Sequence, residues 1–529
     1  YDLMWNISKV KEPTGAETIY TYNKLNHLVS VKNALGHETR FEYDPNGNRT
    51  KVILPKKEIT EIEYDELDRI KKIIEADGET IEYKYDSEDN IIEIVDQEGN
   101  STKFNYDKAD QLIERIDALG NSTKFSYTPL GDIKTITNAL GDTIEYEYYK
   151  AGLIKSVKLP EGEKEEYKYD LNGNLIEKRM GEDLIVKYGY DELNQIISIT
   201  NSKEGVREFK YNPVGLVTEL KDELGNITKY EYSPTGNLIK VIDALGNETK
   251  YDYDEVGNLT KIEQIGKIDK DLEEAENINR RNNISVVTKY QYDLLGNIEK
   301  IIDGEGNVKT LRYNENNQLE DIIDEDGYLT KRAYNPLGQL EKIKYEDGRE
   351  VKLKYNSLRQ LVEIEDWLGK TEIVLDKLGR TKSITTPDNK KVGYEWNEIG
   401  ERTKIIYPEG KEVDYIYDAS QKLKTIRTET SEYNYEYDNI GRVTKRIFPN
   451  NIVGEYSYDN IGNIGKLLYY KHEEIIEGHG YDYDKLGNLT EIKRNRKGID
   501  EVEEISYKYD PLNRLSEVLE GNNLIRKYS

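Results

Sequence analysis

Histidines, clustered acids and tyrosines are the side chains of this sequence that could do chemistry. The histidines are His27, His37, His472 and His479. Only His472 and His479 fall close together, with Glu473 and Glu474 between them. That spacing matches no common zinc pattern. Cysteine is absent, which removes thiol nucleophiles, disulfides and cysteine-based metal sites. The stretches DGEGN (Asp303 to Asn307), DEDGY (Asp324 to Tyr328) and DPNGN (Asp44 to Asn48) cluster oxygens in a way that suits calcium. An EF-hand loop also needs a glutamate at its twelfth position and flanking helices, and an RTX repeat needs G-G-x-G-x-D; neither is present. Paired carboxylates could serve glycoside hydrolysis. A catalytic pair should be singular, however, and here every segment carries the same acids. No serine, histidine and aspartate form a recognisable triad. Exposed tyrosines could stack on sugar rings, but the same residues would also lace a β-sheet across its strands. The acids and tyrosines therefore read as structure, and no enzyme activity, metal or cofactor is expected.

The reason is repetition. The residue after the second tyrosine of each Tyr-x-Tyr pair recurs at Asp170, Asp191, Asn212, Ser233 and Asp254, always 21 apart. Counted along the whole chain there are 24 such anchors, from Asp2 to Asp510. The array is interrupted once, between Asp254 and Asp293, and its steps lengthen to 25 and 26 before Asp484 and Asp510. A period held this long means a repeat architecture, not a row of unrelated domains. The expected organisation is a regular array over 1–266, a charged loop or short helix over 267–285 (its core Lys267 to Asn283), and a continuing array over 286–529 that is less regular after 460.

Each repeat divides in two. Asp222, Ser233, Asp243 and Asp254 each open an x-x-Gly-Asn tetrad, at steps of 11, 10 and 11. An Asp or Ser in first place can cap a type I turn through its side chain. The glycines that follow, Gly225, Gly236, Gly246, Gly257 and likewise Gly296, can then take a positive φ and close a hairpin through a bulge. Between turns, Tyr230 and Tyr232, Tyr251 and Tyr253, and Tyr290 and Tyr292 alternate with polar residues, the period of a strand with one packed face. The intervening segments instead space their aliphatics by three, as in Leu238 and Val241. Either a bulge restores the face or both faces are partly buried. Two strands per anchor predict close to 48 short strands in an all-β chain. Seven-residue strands would make a ribbon about 23 Å wide and about 230 Å long. A flat sheet of that length is not viable, so the ribbon is expected to curl into a spiral or barrel-like wall around space its side chains cannot fill. A parallel β-helix is the rival, but turns that reverse the chain every half repeat favour antiparallel hairpins.

Composition limits the partners. The 529 residues carry a formal net charge of −27, which repels nucleic acid and anionic lipid. Charged residues reach 34%, but 44 tyrosines at regular places argue against disorder. No run is long enough for a transmembrane helix and no signal peptide is evident. Absent cysteine fits an exported bacterial protein that does not staple its surface and equally a cytosolic one, and the chain reads as a piece of something longer.

The units YEYSPTGNLIKVIDALGNETKYDYD (Tyr230 to Asp254) and YKYDLNGNLIEKRM (Tyr167 to Met180) resemble the YD repeats of the Rhs family. That family takes in bacterial Rhs and wall-associated polymorphic toxins, the B and C components of Tc insecticidal toxins, and teneurins. The resemblance covers essentially the whole chain apart from the insertion. It implies a hollow spiral shell of β-hairpins, which in the bacterial toxins holds a C-terminal toxic segment released by self-cleavage. For teneurins it implies a rigid adhesion scaffold, and for some bacterial members carbohydrate binding at the cell surface. The cleavage motif of the toxins, of D-P-x-G type, has no counterpart here: YDPNGNR (Tyr43 to Arg49) and YDPLNRL (Tyr509 to Leu515) are ordinary repeat turns, with Asn513 in the glycine's place. The expected function is a non-enzymatic shell segment of a secreted or cell-surface bacterial protein, enclosing or presenting a C-terminal toxin or another polypeptide. The alternative is an extracellular adhesion or glycan-binding scaffold. Neither reading involves nucleic acid or membrane insertion.

Overall fold

The computed structural model describes residues 1–182, 184–266, 284–499, 502–521 and 523–528. These residues form 48 strands, from β1 (Lys9–Lys11) to β48 (Asn523–Lys527), and no helix among them interrupts the series. The fold is all-β and built of antiparallel hairpin repeats, which sets aside the parallel β-helix. Most strands are five or six residues long, because a turn intervenes every ten or eleven positions.

Two kinds of hairpin alternate. Strand β21 (Val217–Lys221) pairs with β22 (Ile227–Tyr232) without a break, Glu219 opposite Lys229 and Lys221 opposite Ile227. Strand β22 then pairs with β23 (Leu238–Ile242) through a register shift: Tyr232 faces Leu238, but Glu231 faces Lys240 and Tyr230 faces Val241. Ile239 is the extra residue. A bulge of this kind moves later side chains to the other face. It settles the three-residue aliphatic spacing, because Leu238 and Val241 both join the face of Tyr232 and Tyr230, and Ile239 turns outward at 37% exposure. The same shift recurs at Lys210/Tyr211 and at Arg312/Tyr313. On the opposite face, cross-strand ion pairs such as Lys210–Glu219 at 2.8 Å and Lys240–Glu231 at 3.0 Å line the solvent side.

The sheet has no second layer. The chain exposes 32714 Å². A compact protein of 61.5 kDa would expose about 20,000 Å². Ala16 and Ile405 are the buried apolar residues among those described. Stability therefore comes from half-buried faces and turn hydrogen bonds repeated many times, and each repeat leans mainly on its neighbours.

The chain forms two compact units. The first takes in Tyr1–Ser122, Lys250–Gln264 and Ser285–Tyr394, and the second Thr123–Thr249, Ile265–Ile284 and Glu395–Ser529. Within each unit an N-terminal arc of hairpins meets a C-terminal arc edge to edge, turn tip against turn tip. The charged stretch expected at 267–285 falls outside the described residues up to Asn283, and its last two positions open β26 (Ile284–Tyr292). The longer steps after 460 lengthen strands: β43 (Ile464–Lys471) and β44 (Glu474–Tyr483) have 8 and 10 residues. Their two-residue turn, His472 and Glu473, takes φ of 50° and 66°, the primed geometry that suits a tight hairpin.

Candidate functional site: turn tips and the seam they form

The turn tips carry most of the side-chain hydrogen bonding. At Asp222 the backbone N–H donates to the Asn226 carbonyl at 2.9 Å, and the Gly225 N–H donates to the Asp222 carbonyl at 3.0 Å. The Asp222 carboxylate accepts the N–H groups of Leu224 and Asn226 at 3.0 and 2.8 Å, and the Asn226 side-chain amide at 2.9 Å. Asp243 with Gly246 and Asn247, and Asp254 with Gly257 and Asn258, repeat this arrangement. Gly236 and Gly296 close the turns opened by Ser233 and Asp293. Asp44, Asp303 and Asp324, the acids that suggested calcium, likewise accept turn N–H groups, and no metal-holding group of acids and histidines occurs among the described residues.

Gly225 shows what the turn requires. Its φ is +93°, and a Cβ there would meet nothing within 4 Å, so the demand is on the backbone angle and not on space. Where glycine is replaced, as at Asp68, Asn194 and Asn317, φ contracts to 61–63°, the left-handed well that Asn and Asp tolerate best. Gly225→Val is expected to cost about 1–3 kcal/mol. Gly225→Asn should cost visibly less. Urea midpoints of the two variants check the order.

The tyrosine pairs divide their labour. Tyr230, Tyr251 and Tyr290 stand first, on β22, β24 (Glu248–Tyr253) and β26, and Tyr232, Tyr253 and Tyr292 stand last. The second hydroxyl reaches back to the preceding hairpin: Tyr232 donates to the Val217 carbonyl at 2.9 Å, and Tyr292 to the Leu259 carbonyl at 2.7 Å. Val217 lies two residues beyond the last ladder pair of β21 and β22, so the hydroxyl ties strands where the main chain no longer does. Burial pushes the Tyr230, Tyr253 and Tyr292 hydroxyls above the usual tyrosine range. Sequence patterning shows a tyrosine face but not this bond. A signal was present: Phe41, Phe104, Phe125 and Phe209 each take the first place of a pair, and no phenylalanine takes the second. Tyr232→Phe should therefore cost about 1 kcal/mol. Tyr230→Phe should cost little, and denaturation midpoints compare the two.

Alternate turns lie at opposite edges of an antiparallel band. Tips that follow a tyrosine pair form the YD edge, and the others, such as those at Asp222 and Asp243, form the opposite edge. In each unit the opposite edge of the N-terminal arc meets the YD edge of the C-terminal arc. In the first unit, the Arg359 guanidinium pairs with the Glu75 carboxylate, and the Ser357 hydroxyl donates to Glu79 at 3.1 Å. The Asn316 amide donates to Glu58 at 3.0 Å. In the second unit, the Lys422 ammonium pairs with Glu163, the Ser420 hydroxyl donates to Glu163 at 2.8 Å, and the Glu161 N–H donates to the Ser420 hydroxyl at 3.0 Å. The Asn201 amide donates to the Lys485 carbonyl at 3.0 Å, and Lys203 pairs with Asp459 at 2.8 Å. Glu75 and Glu163 are only 9% and 7% exposed. The partners in these hydrogen bonds lie 257 to 284 residues apart in the chain.

Two further details mark how close the seam is. A Cβ on Gly205 would stand 3.1 Å from the Lys485 carbonyl, so this glycine is needed for room. Burial, together with the nearby carboxylates of Asp142 and Asp418, pushes the Glu401 carboxyl up, although it accepts the Asn397 amide at 2.6 Å. No local pattern announces these residues, because the seam joins positions that share no neighbourhood in sequence.

Comparison with protein families matches the teneurin YD-shell over residues 1–139, 132–273 and 323–475. Among solved structures, TcdB2-TccC3 superposes with a TM-score of 0.62 at 13% identity, covering 95% of this chain and 32% of that one. TcdB2-TccC3-Cdc42 does so with a TM-score of 0.59 at 12% identity, covering 95% and 34%. The chain thus spans about a third of the length of the solved chains it matches, and at these identities the likeness is one of fold. No curated protein matches.

Proposed function

The chain belongs to the teneurin YD-shell family, and from that membership we propose that it works without catalysis, as a wall segment that encloses a polypeptide passenger. A toxic C-terminal segment of the same protein is the passenger that best fits the bacterial relatives its repeats resemble. Secretion, or display at a bacterial surface, belongs to the same reading.

One observation carries it. The sheet is a single layer, half-buried on its tyrosine face and exposed on the other, with 32714 Å² accessible where a compact chain of this mass would expose about 20,000 Å². A long twisted sheet with no second layer rolls into a wall, and a wall of many strands bounds a volume instead of packing one. Adhesion through sugar-stacking tyrosines draws no comparable support. Second-place tyrosines such as Tyr232 and Tyr292 spend their hydroxyls on backbone carbonyls, and the rings sit half-buried beside Leu238 and its equivalents.

Small-angle X-ray scattering tests the enclosure. A hollow wall produces a pair-distance distribution weighted to long distances and a secondary minimum in the scattering curve. A curve fitted by a solid rod or a filled globule would remove the container.

A further inference from the structure

In an ordinary repeat the tyrosine face is completed by aliphatic and threonine side chains: Leu220 stands opposite Phe209, and Thr228 opposite Leu220. One place in the second unit departs from this. On β41 (Val443–Ile447) Arg446 takes the place of Leu220, opposite Tyr435, and on β42 (Ile452–Tyr458) Gly454 takes that of Thr228. The Arg446 guanidinium lies 4.6 Å from the Phe448 ring centre and 5.6 Å from those of Tyr433 and Tyr435. It also meets the Tyr456 hydroxyl. A Cβ on Gly454 would stand 3.2 Å from the Tyr469 ring, so the glycine leaves room for that ring to approach Phe448, 6.2 Å away.

The counter-charge is missing. Lys445, on the other face, has Glu436 and Glu455 at 3.7 and 3.9 Å. Among the described residues no carboxylate pairs with Arg446, and its Nε is buried without a hydrogen-bond partner. Stacked arginines elsewhere keep an acid: Arg69 on Tyr85 holds Asp65, and Arg442 on Tyr458 holds Asp438. Arg402, whose Nε is also unmet, has one ring beside it, Tyr415. A half-buried cation without a counter-ion is costly, and this chain has 103 acids to 76 bases from which to supply one. Rings cover the faces of a guanidinium but leave the N–H groups in its plane to other acceptors.

We propose that Arg446 and the rings around it bind a carboxylate carried on an apolar body, supplied by an acidic residue within an extended, otherwise apolar polypeptide segment. A planar carboxylate matches one guanidinium. A doubly charged phosphate would call for a second free cation, and the neighbouring Arg494 and Arg496 already serve Glu477 and Glu503. The row of paired positions from Tyr435 through Arg446, Gly454 and Tyr469 to Glu477 crosses five strands, about 19 Å, the span of about six extended residues. That the segment belongs to the enclosed passenger rests on the wall reading above; the carboxylate site does not.

Saturation-transfer NMR titration of the full chain with N-acetyl-phenylalanine tests the site. A Kd of about 1 mM is expected. N-acetyl-phenylalaninamide, which lacks the charge, should bind at least about tenfold more weakly, and inorganic phosphate should not compete. Acetyl-Leu-Leu-Glu-Leu-Leu-amide should bind about tenfold more tightly than N-acetyl-phenylalanine, and its glutamine counterpart should lose that gain. Arg446→Leu installs the residue of the ordinary repeat. It should abolish binding of both acids with Tm level or raised, since an apolar side chain replaces an unpaired charge. If that variant does not fold, the comparison of acid with amide on the wild type decides. Equal binding of acid and amide, binding that survives Arg446→Leu, or no binding at about 20 mM would overturn the site. A pentapeptide that binds no better than N-acetyl-phenylalanine would overturn the polypeptide source. Failed titrations would leave the hollow scattering profile intact, and a filled profile would leave the titrations intact.

Discussion

Replacing Lys422 with alanine is expected to destabilise the second unit by about 3–5 kcal/mol, the cost of leaving a buried charge without its partner. The Glu163 carboxylate is almost wholly removed from water and takes Lys422 and Ser420 as its partners across the seam. Without the ammonium, Glu163 keeps its charge against a desolvation penalty or takes up a proton, and either lowers the stability of the docked arc. Arg359→Ala should act in the same way on Glu75 in the first unit. The paired change Glu163→Gln with Lys422→Met removes both charges and should recover most of the loss, since a buried pair as a whole contributes little over a neutral replacement. Hydrogen exchange over residues 418–437, compared with the distant hairpins of the first unit, reads the effect locally, which matters because repeat arrays need not unfold in one step. A loss under about 1 kcal/mol would mean that the seam behaves as a solvated surface contact.

Thermal stability should form a plateau with two steep shoulders. On the acid side, the Asn174 amide and the turn N–H groups hold the Asp170 carboxyl below its usual value. At Asp254 burial works in the opposite direction, but the Asn258 amide and the backbone N–H donors outweigh it and hold the carboxyl down. A carboxyl lowered in the folded state contributes stability that is present above its unfolded pKa, about 3.9 for aspartate, and is lost as pH falls through the folded value. On the alkaline side, burial raises the hydroxyls of Tyr85, Tyr106 and Tyr292. Groups raised in this way contribute stability that is present below the unfolded pKa, about 10 for tyrosine, and is lost as pH rises through the folded value. Glu401, pushed up at the seam, has the sign opposite to the aspartates and favours the folded state only at acid pH. It is a single group against a repeated one. Differential scanning calorimetry should find Tm roughly level from about pH 5 to 9, falling below about 4 and above about 10. A Tm that holds to pH 2.5 would show that the turn carboxylates do not support the hairpins as their geometry indicates.

What could be read from the sequence was everything that repeats within one or two turns. The 21-residue period, the halves opened by Asp222 and Asp243, the positive φ required at Gly225 and the antiparallel sense all follow from forces that act between near neighbours. The spacing of Leu238 and Val241 posed a choice that the sequence left open, and the register between β22 and β23 resolved it in favour of a bulge. The division of labour within Tyr230 and Tyr232 was legible only through the placing of phenylalanine.

Tertiary structure alone decided the seam. Glu163 and Lys422 meet although they lie 259 residues apart in the chain, a separation over which no periodic pattern of near neighbours can specify a partner. The same turn residue is therefore open at Leu67 and sheltered at Leu358, although nothing in the local sequence distinguishes them.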